Sequence, residues 1–181
     1  DPQYVTPLRQ RRMSNQTLRL FFHDHCFDGA VSAAVFRHFY LHEIEPAATV
    51  ELIGMAHSAE DPFALVDLGA GDNACVDFRY CSDERMHWWF DHHISAFQGP
   101  HTKDHYLGRA SRQLRFDPEA ASCALFMAQC LAEDFDFDLR QREPWAELLR
   151  WAELIDGASF ESARQVVALE EPALQIMAWL G

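Results

Sequence analysis

The sequence predicts an α/β protein with a parallel β-sheet flanked by helices and a C-terminal part that is all helical. In the first half of the chain, short apolar runs typical of buried strands alternate with stretches of helical spacing. Such alternation favours a parallel sheet with right-handed crossovers. From Glu119 onward the pattern is helical.

Four strands are predicted from short apolar runs: Thr17–Phe22, Thr49–Met55, Ala74–Phe78 and Met86–Phe90. Ala30–Glu43 has apolar residues at helical spacing, and Pro46 closes this helix. Pro62–Leu68 is predicted as a short helix, because Asp61 precedes it as an N-cap and Pro stands in its first turn.

The second half begins with a predicted long polar loop, Ser95–Asp117, which is a candidate lid or substrate loop. Three helices are predicted after it: Glu119–Phe135, Pro144–Ile155 and Ser162–Leu180. Asp117 and Pro118 provide an N-cap and a first-turn proline for the first of them. Residues 1–16 are expected to form a loose N-terminal extension, with Met13 as the natural start.

The composition excludes several classes of protein. Of the 181 residues, 49% are apolar and 24% charged, which is enough for a large core and excludes intrinsic disorder. No run approaches eighteen apolar residues, so a membrane-spanning helix is excluded, and no apolar segment at the start predicts a secretory signal. Five cysteines at irregular spacing, without a CxxC pair, predict reduced thiols and a cytoplasmic location.

The charge is strongly acidic, with 15 Lys and Arg against 28 Asp and Glu and a net charge of −13. Proteins that bind long nucleic acid usually carry a basic stripe, so this class of partner is not expected. Five of the ten histidines lie between His87 and His105. Surplus carboxylates together with clustered imidazoles favour a site for metal cations.

The segment His23-Asp24-His25-Cys26-Phe27-Asp28-Gly29 directly follows the first predicted strand, and five of its seven side chains can bind a metal. The carboxyl edge of an open α/β sheet is where ligands bind. Gly29 permits a tight entry into the following helix. The alternative interpretation is a polar turn in which Asp28 only caps that helix.

Three further segments also place possible metal ligands at the end of a predicted strand or helix. Asp77 ends an apolar run, where it is either solvated or directed into a site. Asp91-His92-His93 follows Trp88-Trp89-Phe90, and two adjacent imidazoles there need hydrogen-bond partners or a metal unless both lie on the surface. Asp156 stands at a helix C-terminus, which is unfavourable for an acid, so a metal would explain it. The alternative interpretation for Gly157, the next residue, is that it simply ends the helix.

The order and context of these four segments resemble the DHH phosphoesterase superfamily, which is named for its Asp-His-His motif. The resemblance covers residues 17–160. The form His23-x-x-Cys26-x-Asp28-Gly29, with Ser32-Ala33-Ala34 on the next helix, looks like one branch of that family.

The resemblance implies a DHH catalytic domain over residues 17–160, with one divalent metal, usually Mn²⁺, on Asp28, Asp77, His92 and Asp156. It also implies that Asp77 bridges to a second metal and that His93 contacts the scissile phosphate. Asp91 would not bind the metal itself but would orient the ring of His92 by a hydrogen bond to the nitrogen that faces away from the ion.

The second metal is where the sequence departs from the family pattern, because Cys26 stands where many relatives have Asp. His23 with Asp24 or Cys26 could hold this ion, or the site fills only with substrate. A thiolate favours softer ions such as Zn²⁺ over Mn²⁺, and Mg²⁺ and Co²⁺ are further alternatives.

The implied activity is hydrolysis of phosphoester bonds in short oligonucleotides or small nucleotide phosphates by metal-activated water. Two alternatives stay open: a non-catalytic metal or nucleotide binder, and a phosphomonoesterase or pyrophosphatase. Relatives usually carry a C-terminal substrate domain of the DHHA1 type, and no such segment is recognisable here. The helix over residues 161–181 is therefore a candidate linker toward an absent domain, and no membrane partner is expected.

Overall fold

The computed structural model describes residues 16–57 and 61–181 and confirms the predicted α/β class. Five strands form one parallel sheet in the order β2-β1-β3-β4-β5. They are β1 (Thr17–His23), β2 (Thr49–Met55), β3 (Asp72–Val76), β4 (Trp88–Asp91) and β5 (Leu114–Phe116). The predicted loose segment 1–16 lies outside the described residues except for Gln16.

Six α-helices accompany the sheet in the described chain. They are α1 (Phe27–Phe39), which continues into a π-helical turn at Tyr40–Ile44, α2 (Thr102–Arg109), α3 (Cys123–Phe135), α4 (Trp145–Asp156), α5 (Ala163–Ala168) and α6 (Pro172–Leu180). Within these residues, no helix is long and apolar enough to cross a membrane.

Both faces of the central strands β3 and β4 are buried, which explains why their sequences contain short unbroken apolar runs, whereas the edge strand β2 is largely exposed. On one face Leu20, Val76 and Phe90 pack into the larger core, which also contains residues from α1, α3, α4 and α6. On the other face Phe21 and Trp89 pack against loops and the aromatic side chain of Tyr106 in α2. Alternate residues of each strand therefore serve two different cores.

The prediction of a polar loop over Ser95–Asp117 is wrong, because this segment contains α2 and β5. The helix has no buried residue and thus no apolar stripe, so its sequence lacks the helical period. The strand has only three residues, which pair in parallel with β4.

The predicted helix at Pro62–Leu68 is also wrong, because the chain forms successive turns there. The Asp61 carboxylate accepts a hydrogen bond from the Phe63 amide (2.9 Å), and the Val66 amide donates to the Phe63 carbonyl (3.1 Å). Asp61 therefore stabilises a turn, and no helical ladder follows it.

Three predicted helices differ by more than one residue from those observed. The helix expected at Ala30–Glu43 begins at Phe27. The helix expected at Glu119 begins at Cys123, because the Ser122 hydroxyl, and not Asp117, caps it by accepting from the Leu125 amide. The single helix expected over Ser162–Leu180 is divided into α5 and α6. Leu169 adopts a left-handed conformation (φ 49°) between them, and Pro172 starts the second.

A candidate binuclear metal centre

The carboxyl ends of three neighbouring strands bring the predicted motifs together. In the register of the sheet, Phe22 pairs with Val76, and Val76 pairs with Phe90. His23, Asp77 and Asp91 therefore leave the sheet side by side. The strand order also reverses direction between β1 and β3, and a crevice at such a reversal is where open α/β sheets bind ligands.

Asp77 lies at the centre of this edge with its carboxylate buried. Its side chain is 1% exposed, and neither oxygen has a hydrogen-bond partner. Its backbone is left-handed (φ 55°), and its amide donates to the Phe90 carbonyl (2.9 Å). That conformation costs about 1 kcal/mol or more in a non-glycine residue. An unsatisfied buried carboxylate on a strained backbone is expected where a ligand completes the site.

His92 points one ring nitrogen at three carboxylates. Its Nδ1 lies 2.9 Å from the Ala120 carbonyl, and a carbonyl can only accept, so Nδ1 carries the hydrogen. Nε2 lies 3.3 Å from Asp156, 3.5 Å from Asp77 and 3.7 Å from Asp28. These separations are close to the ~3.3–3.6 Å between donor atoms that surround one ion at about 2.0–2.2 Å. Asp28, His92 and Asp156 are therefore close enough together to surround one ion, and Asp77 adjoins this group through its contact with His92.

Asp28 anchors this group to a distant helix. Its two carboxylate oxygens accept hydrogen bonds from the amides of Cys123 (2.6 Å) and Ala124 (3.0 Å) in the first turn of α3. The N-cap of its own helix is Cys26, so the alternative of Asp28 as the cap of α1 does not hold. A carboxylate at a helix N-terminus is stabilised by the helix dipole, which favours its ionised form at this position.

The close packing of buried carboxylates favours the binding of protons or cations at this centre. Burial, and then the charge of Asp77, raises the pKa of Asp28 well above its ordinary value, and burial likewise raises the pKa of Asp156. Burial alone would lower the pKa of His92, but the Asp77 carboxylate and the Ala120 carbonyl outweigh it and raise the pKa to about 9. A bound divalent cation would replace those protons and neutralise the carboxylates.

Asp91 orients His93, and not the ring of His92 as the resemblance implies. Its Oδ1 lies 2.7 Å from the His93 Nδ1 and also accepts from the amides of His92 (2.9 Å) and His93 (3.3 Å). The ring of His92 is oriented instead by the Ala120 carbonyl. The hydrogen bond to Asp91 raises the pKa of His93 despite its burial.

A second group of donors lies on the other side of Asp77. His23 Nδ1 is buried without a hydrogen bond and lies 3.5 Å from the Asp77 carboxylate, with the Cys26 thiol close to both. Attraction to Asp77 raises the pKa of His23, whereas burial and the same carboxylate raise the pKa of the Cys26 thiol to about 12. The thiol is therefore the weaker donor of the two.

Asp24, the other candidate for the second metal, lies apart from these groups. Its carboxylate accepts from the His25 amide (2.9 Å) and lies against the backbone of Gly54 in β2. The groups of candidate donors in the described chain do not include it. The turn that follows β1 directs Asp24 sideways, toward the neighbouring strand.

His57 is a candidate donor that sequence reasoning missed. It follows the carboxyl end of β2, and its ring nitrogens converge with those of His23 and His93 within 4.8 Å. It stands alone in a polar stretch without a motif. Its position just after a strand that ends at the same edge was the one clue available in the sequence.

The donors fit a divalent metal centre. Both Asp77 oxygens, His23 Nδ1 and His92 Nε2 are buried without hydrogen bonds, which a protein avoids unless a further partner completes them. Carboxylate and imidazole together suit Mn²⁺ and related ions. No family model, curated protein or solved structure matches this chain.

Proposed function

We propose that the protein is a divalent-metal-dependent phosphoesterase, related to the DHH superfamily, that acts on short oligonucleotides or small nucleotide phosphates. The observation that carries the proposal is the buried, unsatisfied Asp77 carboxylate, which lies between two groups of metal donors. When bound, two cations would lower the pKa of a water molecule and neutralise charge that develops on the phosphoryl group. Mn²⁺ is the cofactor that the first donor group favours.

The residues around the metals have separate roles in this proposal. Asp28, Asp77, His92 and Asp156 hold the first cation, and Asp77 is shared with the second. His93 donates a hydrogen bond from Nε2 to a phosphoryl oxygen, while its Nδ1–H is held by Asp91 at 2.7 Å. Because Asp91 orients the ring, His93 offers a directed donor to an anionic substrate, and its protonated form would add a positive charge.

A neighbouring cavity supports a small substrate. It has a volume of about 430 Å³ and is lined by residues that include Arg79, Tyr80, Gln98 and Thr102. The Arg79 guanidinium donates to the Gln98 side chain (2.8 Å) and also lies 3.5 Å from His57 Nδ1, beside the metal donors. The residues that line it in the described chain include none of the proposed metal donors, so Arg79 is its link to the centre. Its size suits a nucleotide, and an arginine suits a phosphate.

Hydrolysis assays on the full chain test the proposal. With Mn²⁺, we expect mononucleotides to be released from a short oligonucleotide, and Asp77→Asn to lower kcat/KM at least about 100-fold. Asp104→Asn, an exposed acid on α2, is the matched control and should retain full activity. Release of inorganic phosphate from mononucleotides instead would identify a phosphomonoesterase, and metal binding without turnover would identify a binder.

A cytoplasmic location is part of the proposal. It is supported by the five cysteines, all of which lie in the described residues as free thiols. Four of the five are buried, where they pack as small apolar side chains.

A further inference from the structure

The register of the sheet holds His57 beside the metal centre. In the pairing of β1 with β2, His23 lies opposite Met55, two residues before His57. The Asp24 amide donates to the Met55 carbonyl (2.9 Å) and ties the two strand ends together just before the chains diverge. The pairing of β1 with β2 therefore places His57 next to His23, just as the pairing of β1 with β3 places Asp77 on the opposite side of His23.

The ring of His57 is fixed in orientation by its neighbours. It stacks on Phe78 with ring centroids 4.7 Å apart and planes inclined by 24°. Phe78 is buried and directly follows Asp77 in the chain. The Arg79 guanidinium lies 3.5 Å from His57 Nδ1. An imidazole held on one face and on one edge in this way presents its remaining edge toward the site.

Three imidazoles converge there edge to face. The ring of His23 lies 4.6 Å from His57 at 66° and 5.8 Å from His93 at 78°, and His57 lies 6.0 Å from His93 at 72°. One ring nitrogen from each lies within 4.8 Å of the other two. Steep inclination also occurs in ordinary aromatic packing, so it is the convergence of the three nitrogens that indicates a common ion.

An independent observation indicates a ligand at this point. The Asp77 carboxylate is 1% exposed, has no hydrogen bond to either oxygen, and lies 3.5 Å from His23 Nδ1, itself buried without a hydrogen bond. The two groups form an ion pair without a hydrogen bond, so a ligand that bonds to both atoms would satisfy them.

We propose that His57 is a ligand of the second cation, which it holds together with His23, the one residue that belongs both to the group of three imidazoles and to the group with Asp77. The ring of His93 borders the coordination position that a phosphoryl oxygen would take. The second position is then rich in nitrogen, while the first stays rich in oxygen. The assignment rests on the proposed function, because it concerns the same centre.

The donor set predicts unequal ion preferences at the two positions. Imidazole suits Zn²⁺ and Co²⁺, whereas a position of three carboxylates and one imidazole also suits Mn²⁺ and Mg²⁺. We therefore expect the second position to prefer Zn²⁺ or Co²⁺ over Mn²⁺, and this preference to depend on His57.

Titration of the full chain with Co²⁺, followed by calorimetry and by visible absorption, tests the assignment without any substrate. We expect two equivalents in the unaltered protein and one in His57→Ala, with the second affinity weakened at least about 100-fold. His57→Cys should restore the second equivalent and add a thiolate-to-cobalt charge-transfer band. His101→Ala, an exposed histidine on the loop before α2, is the matched control and should bind two.

Two equivalents of unchanged affinity in His57→Ala would overturn the assignment, and so would a single equivalent in the unaltered protein that survives in this variant. Unchanged circular dichroism of His57→Ala excludes loss of fold as the cause of a lost equivalent. The proposed function is tested separately. If the protein binds two Co²⁺ in a His57-dependent way but hydrolyses no phosphoester, the ligand assignment holds and the proposed phosphoesterase activity is wrong.

Discussion

At the scale of single residues, the centre is governed by competition between protons and metal ions for the same atoms. His92 Nε2 faces three carboxylates, and its pKa is raised to about 9 despite burial. The pKa of His23 is also raised, chiefly by its contact with Asp77. In the metal-free protein the His92 ring carries a proton at neutral pH, which a cation must displace, and the raised pKa of His23 makes protons stronger competitors there as well.

Metal affinity should therefore fall with acidification. A group whose pKa is raised to about 9 is protonated at every pH below that value, so each unit decrease in pH makes displacement harder. We expect the dissociation constant for Mn²⁺ to rise about tenfold per pH unit between pH 8 and pH 6, with release of at least about one proton per ion. Calorimetry in buffers of different ionisation enthalpy measures both quantities. A dissociation constant that does not vary over this range would contradict protonated ligands.

The contact of Asp91 with His93 shows that two neighbouring histidines of one motif can take different hydrogen-bond partners. His92 and His93 are adjacent in sequence, yet one ring is held by a backbone carbonyl and the other by Asp91. The sequence indicates that both imidazoles need partners. It cannot indicate which partner each ring takes, because the Ala120 carbonyl comes from a segment 28 residues away.

At the scale of elements, the entry of α1 explains how the first motif is held against β1. Gly29 lies where the helix passes directly over the end of the strand, and a Cβ there would lie 2.2 Å from the His23 carbonyl oxygen. Its backbone is not left-handed, since it is not among the residues of positive φ in the described chain. Gly29 is therefore required for close approach, and not for a special turn.

Gly29→Ala should consequently destabilise the fold by about 1–3 kcal/mol, because backbone must move to admit the methyl group. Gly108→Ala is the matched control: it lies in α2 with nothing within 4 Å of an added Cβ, and should stabilise by about 0.5–1 kcal/mol. Urea unfolding of the metal-free proteins measures both changes. Equal midpoints for Gly29→Ala and the unaltered chain would show that α1 can shift without cost.

Helices and strands were predicted correctly where the sequence has apolar residues at helical spacing or a short apolar run. β2 was predicted with its bounds, Thr49–Met55, from an apolar run that follows Pro46. α2 was missed, because an exposed helix without an apolar stripe has the composition of a loop. The division between α5 and α6 was missed because the apolar spacing continues across Leu169 and Pro172.

At the scale of the whole molecule, the folded chain concentrates negative charge at one edge of the sheet. Asp28, Asp77 and Asp91 are buried there, and Asp156 completes the group from the end of α4. Mutual repulsion of these carboxylates opposes folding until protons or cations neutralise them. Bound metal should therefore stabilise the entire fold and not the site alone.

Mn²⁺ at about one hundred times its dissociation constant should stabilise the protein by about 2.7 kcal/mol. For a chain of this length, that corresponds to an increase in Tm of about 5–10 °C. In Asp77→Asn the increase should vanish, and in Asp104→Asn it should persist. Differential scanning calorimetry with and without Mn²⁺ provides the comparison, and an undiminished shift in Asp77→Asn would remove Asp77 from the ligands.

The sequence by itself determined the parallel α/β class and the positions of Asp28, Asp77, His92, His93 and Asp156 at the ends of elements. Both depend on local signals, namely apolar runs and polar residues where those runs stop. The tertiary structure decided which of these side chains meet, because that depends on strand order and register. Only the adjacency of β1 and β2 brings His57 beside His23, and only the direction of the turn after β1 removes Asp24 from the centre.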